Sequence, residues 1–260
     1  MGVEGLLPLV EDCPEACRFV SIEKMANDHQ RVLRYSPVLA VDGSNVIPWL
    51  YTNRRDFLES IYGGQWIQFR EVLKNFVLKF QNKGIELVFI FDGTTCKDKL
   101  SKWLERRMSR YGEIASIFND ISRNFQEKAI ARQHISRALK RLAKFALKEL
   151  DVKMYRTDKE MDADKYIADY ANKNRAVFAI LSDDSDFIIL DTKPVLSISK
   201  LRLNQLKTVM YDRYSFVVRY LNISPEHLPL FGCLIGIDYV PFLKLGRFHR
   251  RLSGFENPST

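Results

Sequence analysis

Seven aspartates stand just beyond apolar runs of the chain. Asp42 follows VLAV, Asp92 follows ELVFIF, and Asp162 and Asp164 open the helical stretch past VKMY. Asp184 and Asp186 follow AVFAIL, and Asp238 follows LPLFGCLIG. One Asp after a strand is commonly a helix N-cap or a turn residue. Several at one edge are different chemistry, because their repulsion raises pKa values and costs stability unless a cation is present. Oxygen-only ligands favour Mg2+ or Mn2+ over zinc. More than four acids leave room for two ions about 3.5–4 Å apart, which activate water and stabilise the leaving oxygen in phosphodiester cleavage. The densest group is LSDDSDFIIL (181–190), where Asp183 reads as a supporting or turn residue beside the candidate ligands. That stretch lacks the central Gly and closing Glu of a calcium loop, and the chain has neither GxxxxGK[ST] nor GxGxxG.

Acids so far apart in sequence meet only if the elements that carry them end at one place. VLAV (38–41), ELVFIF (86–91), VKMY (152–155) and AVFAIL (176–181) are nearly unbroken apolar runs, as strands covered on both faces are. Between them QWIQFREVLKNFVLKF and the stretch 133–150 repeat apolar residues at three and four, the period of a helix. The alternation predicts an α/β fold, a mostly parallel sheet flanked by helices. In such sheets sites form in the crevice outside the carboxyl ends of the strands. The alternation predicts one domain, with 97–150 as a helical insertion.

The net charge of +8 is unevenly placed, since residues 97–148 carry 14 Lys and Arg against 5 Asp and Glu. Such a patch suits a polyanion, most simply nucleic acid, although solvated helices carry similar charge. Four cysteines are too few and too scattered for a disulfide framework, and although Cys13 and Cys17 form CxxxC, no His or Cys pair follows at zinc-finger spacing. No apolar run approaches the roughly 18–20 residues of a membrane span, and the first twenty residues carry acids where a secretory signal carries Lys or Arg. Leu6 occupies the place where N-myristoylation requires Ser or Thr. An intracellular protein of nucleus or cytoplasm, with no membrane partner, is the expectation.

The motifs MGVEGL, LAVDGSN, FIFDG, DAD, SDDSDF and LIGIDY stand in the order and approximate spacing of the flap endonuclease and XPG superfamily, which the chain resembles from Met1 to about Phe242. The resemblance implies a PIN-like nuclease fold and sets the bounds of the domain at 1–242, leaving 243–260 as a basic tail. It implies a first metal group of Asp42, Asp92, Asp162 and Asp164 and a second of Asp184, Asp186 and Asp238. Where these nucleases typically have Glu-x-Glu, the chain has Asp162-Ala-Asp164, one methylene shorter on each side. Their helical arch directs a Lys and an Arg toward the scissile phosphate, and Lys99 and Arg106 match those positions. Seven residues apart, the two share a helix face and would neutralise charge developing on the phosphate. Lys97, Lys102, Arg107 and Arg110 extend the same basic surface for nucleic acid. Pro48 stands where the nucleases have a base-stacking aromatic, leaving Trp49 and Tyr51 as substitutes. After Asp238 comes VPFLKLGRFHRRLSG in place of the family's glycine-rich cation-binding turn.

Within the superfamily, YGGQW, FALKEL, FDGTTCKDKLSKWLERR and ILDTKPVLSISKLRLNQLKTVMYDR resemble the constitutive coactivator of PPAR-gamma family, and more distantly the Asteroid proteins. That likeness implies an RNA-binding scaffold or a coactivator module that docks protein partners, with no need for cleavage. Two functions follow. One is endonuclease-type, two-metal hydrolysis of single-stranded or flapped DNA or RNA; the other is non-catalytic binding.

Overall fold

The structure, a computed structural model, describes residues 3, 5–52, 64–93, 100–123, 138–158, 161–236 and 245–252. The first half runs α1 (Leu6–Glu11), β1 (Cys17–Ser21), α2 (Ile22–Leu33), β2 (Val38–Asp42), α3 (Gly43–Thr52), α4 (Trp66–Gln81), β3 (Glu86–Phe91) and α5 (Leu100–Ser122). The second runs α6 (Ala138–Glu149), β4 (Lys153–Arg156), α7 (Ala163–Lys173), β5 (Val177–Leu181), α8 (Asp186–Ile189), β6 (Val195–Leu196), β7 (Lys207–Tyr211), α9 (Leu228–Ile235) and α10 (Gly246–Leu252).

The strands form one seven-stranded sheet in the order β1-β7-β6-β5-β2-β3-β4. Five neighbouring strands, β6 to β4 across the sheet, are parallel, and β7 pairs antiparallel with both β6 and β1. Strands β2 to β5 are the four that the apolar runs predict. Their alternate residues feed two cores. Leu39, Val41, Leu87, Phe89 and Phe91 pack with Phe76 and Phe80 of α4 and Leu139 and Leu147 of α6. Val38, Ala40, Val88 and Ile90 pack with Leu6, Ile167 and Phe187 on the other face. Two-sided burial is why β2, β3 and β5 read as continuous apolar runs, whereas β4 is an edge strand with Lys153, Tyr155 and Arg156 exposed, so the expectation of cover on both faces fails for VKMY.

Beyond β2 the chain crosses to β3 on one side, whereas β5 joins β2 on the other. A crevice opens at that reversal. Two Asp-Gly pairs shape its floor. A Cβ on Gly43 would stand 2.5 Å from the Phe91 ring, and one on Gly93 would collide with the Thr157 carbonyl oxygen. Gly93 N–H also donates to Thr157 Oγ1 at 2.7 Å, drawing the chain beyond β4 against the end of β3. Gly93→Ala is expected to cost about 1–3 kcal/mol, because a backbone oxygen cannot swing aside as a side chain can. At roughly 2–4 °C per kcal/mol, the loss is measurable by thermal denaturation; an unchanged Tm would mean the two segments are not held in contact.

Candidate functional site

Strand register brings the acids to one level. Val41 pairs with Leu181, Asp42 with Ile90, and Phe91 with Arg156, so Asp42, Ser182, Asp92 and Thr157 arrive at the same edge. Asp42 is only 5 % exposed. Its Oδ1 accepts the backbone N–H groups of Ser44 at 3.0 Å and Asn45 at 3.2 Å, and its Oδ2 accepts the Ser182 hydroxyl at 2.8 Å. It is therefore both a buried acid and a cap on the start of α3. Burial pushes its pKa up to about 6, opposed by the Ser182 hydrogen bond and reinforced by Asp92 and Asp184.

Ser44 links two of the acids, since its hydroxyl donates to Asp92 Oδ2 at 2.6 Å while its N–H serves Asp42. Asn45 Oδ1 accepts the Asp183 N–H at 3.1 Å, tying the loop after β2 to the loop after β5. Asp183 itself accepts the Ser197 hydroxyl at 2.6 Å and the N–H groups of Ile198 and Ser199 at 3.1 and 2.7 Å. Its carboxylate thus anchors the segment that follows β6.

Asp162 is the N-cap of α7 and accepts the N–H of Asp164 at 3.3 Å. One turn of helix thereby carries both acids, with Asp164 aimed into the cluster. Burial, then Asp184, Asp42, Asp162 and Asp186, push the Asp164 pKa up to about 9. Asp184 is 7 % exposed and accepts the N–H of Asp186, in the first turn of α8, at 3.2 Å. Asp164 thus feels acids from three loops at once.

Carboxylate and hydroxyl oxygens are the donors that hard divalent ions take. The crowding on Asp164 supplies the negative field for one. Among the described residues, no three acids stand as a ready-made set around a single ion. Asp42 and Asp162 instead spend oxygens on the N–H groups of their own helix starts. The donor set fits Mg2+ or Mn2+ in atom type and charge.

Positive charge faces the crevice from α6. Lys140 Nζ lies 3.5 Å from Asp92 Oδ2, and Lys144 Nζ lies 4.5 Å from the centre of the Phe91 ring. Burial lowers the Lys144 pKa, with Arg156 and Lys140 adding to the effect. Sequence reasoning did not single out these two lysines, nor Ser44, Asn45 and Ser182. A signal for the lysines existed, because they stand four apart beside the buried Leu139, Ala143 and Leu147.

Arg106 is half-buried on α5 and Arg110 is exposed. Arg107 stacks over Trp103 and Tyr111, 4.9 and 5.7 Å from their ring centres, and its Nε donates to the Tyr111 hydroxyl at 3.1 Å. The backbone of Lys102 belongs to α5. Lys97, Lys99 and Asp238 lie outside the described residues. Trp49 is half-buried and packs against the core. Tyr51 is a correction to the sequence reading. It is 2 % exposed, its ring packs against Trp66 and Phe69, and its hydroxyl accepts the Gln65 N–H at 3.0 Å. A base has no face of Tyr51 to stack on, because α3 turns Ile47, Leu50 and Tyr51 inward together.

Comparison with known proteins agrees with this architecture. Residues 1–113 match the XPG N-terminal domain. The human constitutive coactivator of peroxisome proliferator-activated receptor gamma is 34% identical over 243 residues, covering 93% of this chain and 26% of that protein. The chain spans about a quarter to a third of the length of such curated relatives. Among solved structures, the catalytic core of Rad2 in complex with DNA substrate aligns with a TM-score of 0.60 at 17% identity, over 99% of this chain and 77% of that one. The Holliday junction-resolving enzyme GEN1 in complex with product DNA and a Mg2+ ion aligns with a TM-score of 0.57 at 18% identity, over 92% and 47%. At such identities the structural likeness speaks for the fold. Residues 1–113 thus belong to the XPG N-terminal domain family, and the chain as a whole has the PIN-like α/β fold of the XPG-type nucleases.

Proposed function

We propose that the crevice takes divalent metal and that the chain is a metal-dependent nucleic-acid phosphodiesterase, endonuclease-type, acting on single-stranded or flapped substrates. The observation that carries this reading is Asp164, a half-buried acid pressed by four other acids, two of them the buried Asp42 and Asp184. Such crowding is unfavourable unless a cation offsets it, and strongly perturbed groups in a cleft mark functional sites. Asp42, Asp92, Asp162 and Asp164 would hold one ion, and Asp184, Asp186 and Asp238 a second. Mg2+ or Mn2+ bound there supplies an activated water and offsets charge on the leaving oxygen. The chain's own residues do the rest. Ser44 and Ser182 fix Asp42 and Asp92, while Lys140 and Lys144, with Lys99 and Arg106, neutralise the phosphates of the bound strand. The presence of DNA with Rad2, and of DNA with Mg2+ in GEN1, supports this reading.

A second reading is a non-catalytic RNA-binding scaffold or coactivator module with protein partners. The 34% identical relative named as a coactivator favours it, as does the shortened Asp162/Asp164 pair. Among the described residues no helix is long and apolar enough to cross a membrane. Labelled flap, hairpin and single-stranded DNA and RNA, incubated with purified protein in Mg2+ or Mn2+, separate the two. Cleavage is expected, and Asp184→Ala is expected to reduce it at least about a hundredfold, in line with losses on disturbing metal sites. Wild-type protein that cuts no substrate better than this variant leaves the scaffold.

A further inference from the structure

A groove of about 670 Å³ follows α7. It starts at Met161, next to the helix cap Asp162, and ends at Arg175 and Ala176, where β5 begins. Its size falls within the roughly 300–1,000 Å³ of ligand sites. The lining is aromatic and basic. Tyr166 and Tyr170 stand one helical turn apart, and Tyr35, which is 46 % exposed, faces them from the segment before β2. Lys173 and Arg175 are exposed at the far end.

The wall is braced rather than loosely packed. The Tyr170 ring lies 5.3 Å from that of Tyr155 on β4, and its hydroxyl accepts Asn174 Nδ2–H at 3.2 Å. Asn174 Oδ1 in turn accepts the Ala176 N–H at 3.0 Å, closing the end of the helix. A rigid aromatic face loses little entropy when a flat ring settles on it.

We infer that this groove is a track for single-stranded nucleic acid, in which bases stack on Tyr166, Tyr170 and Tyr35 while Lys173 and Arg175 meet the phosphates. Aromatic platforms interleaved with cations are how single strands are held without sequence preference. The charge of the groove is complementary to a polyanion, with two cations against Asp169 among the lining residues. Asp169 accepts hydrogen bonds, and the exocyclic amino groups of bases supply them. Continuity decides the occupant, because the groove begins beside the helix start that carries Asp162 and Asp164. A strand leaving the crevice along α7 meets the tyrosines next. The inference rests on the reading of the crevice as a nucleic-acid site, but concerns binding beyond it.

Fluorescence anisotropy with single-stranded oligoadenylate and oligouridylate, of about 6 and about 20 nucleotides, tests it in EDTA so that cleavage does not intervene. The longer strands are expected to bind more tightly than the short ones. Tyr166→Ala is expected to weaken the long strands about tenfold, whereas Tyr166→Phe, which keeps the ring, retains the affinity. Lys173→Ala with Arg175→Ala, both at exposed positions, is expected to lower the slope of log affinity against log salt by about 1.4, at roughly 0.7 per phosphate. No length dependence, or an unchanged slope in the double variant, overturns the track. So does a groove that takes a proline-rich peptide while oligonucleotide affinity ignores all these substitutions. The outcomes stay distinct from those of the cleavage assay. A protein that never cuts but shows the length and salt effects retains the groove, and one that cuts without them loses it.

Discussion

Metal-free protein is expected to lose roughly 6–12 °C of Tm between pH 4 and pH 7.5, and millimolar Mn2+ or Mg2+ to restore much of it at the upper end. Asp42 alone accounts for a loss of that size. Its pKa rises from an ordinary 3.8 to about 6 in the fold. Two units correspond to about 3 kcal/mol, at 1.36 kcal/mol per unit. The folded state holds a proton that the unfolded chain releases, so the contribution is full below pH 3.8 and is lost as pH rises through about 6. At about 2–4 °C per kcal/mol, the loss reaches the range given. Asp164, raised to about 9, pulls in the same direction and extends the decline above neutrality. A divalent ion competes with those protons, so its stabilisation must grow with pH. Asp42→Asn keeps an oxygen for the Ser44 and Asn45 N–H groups and lets its amide donate to Ser182, and should flatten the acid side of the profile. Differential scanning calorimetry in EDTA and in Mn2+ reads both effects. A flat profile in EDTA, or an ion effect equal at pH 5 and pH 8, would contradict the crowded crevice.

The second large effect concerns the lysines of α6. Replacing both Lys140 and Lys144 with Gln is expected to weaken single-stranded oligonucleotide binding about a hundredfold or more. Each supplies a charge-assisted contact of about 1.5–3 kcal/mol when it meets a phosphate. The slope of log affinity against log salt should also fall by about 1.4. Folding is a poor alternative explanation, because the Lys140–Asp92 pair is half exposed and such pairs add little stability. Unchanged affinity and slope, measured by anisotropy across a salt series, would remove α6 from the binding surface.

The sequence reveals what strong physics imprints on it. Strands β2, β3 and β5 bury both faces, which leaves an unbroken apolar run as their signature, whereas the edge strand β4 keeps Lys153, Tyr155 and Arg156 exposed. Strand β1 reads CRFVS with Arg18 and Phe19 exposed, and β6 has two residues, so neither carries a period that can be recognised. The acids are legible because a charge at the end of a core strand demands a reason. Ser44, Asn45 and Ser182 stand beside them in the same motifs, yet small polar residues in loops read as ordinary turn chemistry. Tyr51 was misread through its nearness to Asp42. The phase of Ile47, Leu50 and Tyr51, at three and four, marks the core side of α3 and places the ring there. Lys140 and Lys144 were hidden by the uniform basicity of their segment.

The hydrogen bond from Ser182 to Asp42 joins residues 140 apart, and β1 pairs with β7 through Cys17 and Tyr211. During synthesis from the N-terminus, Asp42 and Asp92 therefore emerge long before Asp164 and Asp184 exist to repel them. The early half meets only the repulsion between Asp42 and Asp92 as it collapses around β2 and β3. Asp184 and Asp186 join them only when β5 slots in beside β2, so the heaviest crowding is deferred to a late stage of assembly. Any fragment that stops short of Ser182 lacks Asp184 and Asp186, and with them the largest of the repulsions felt by Asp164.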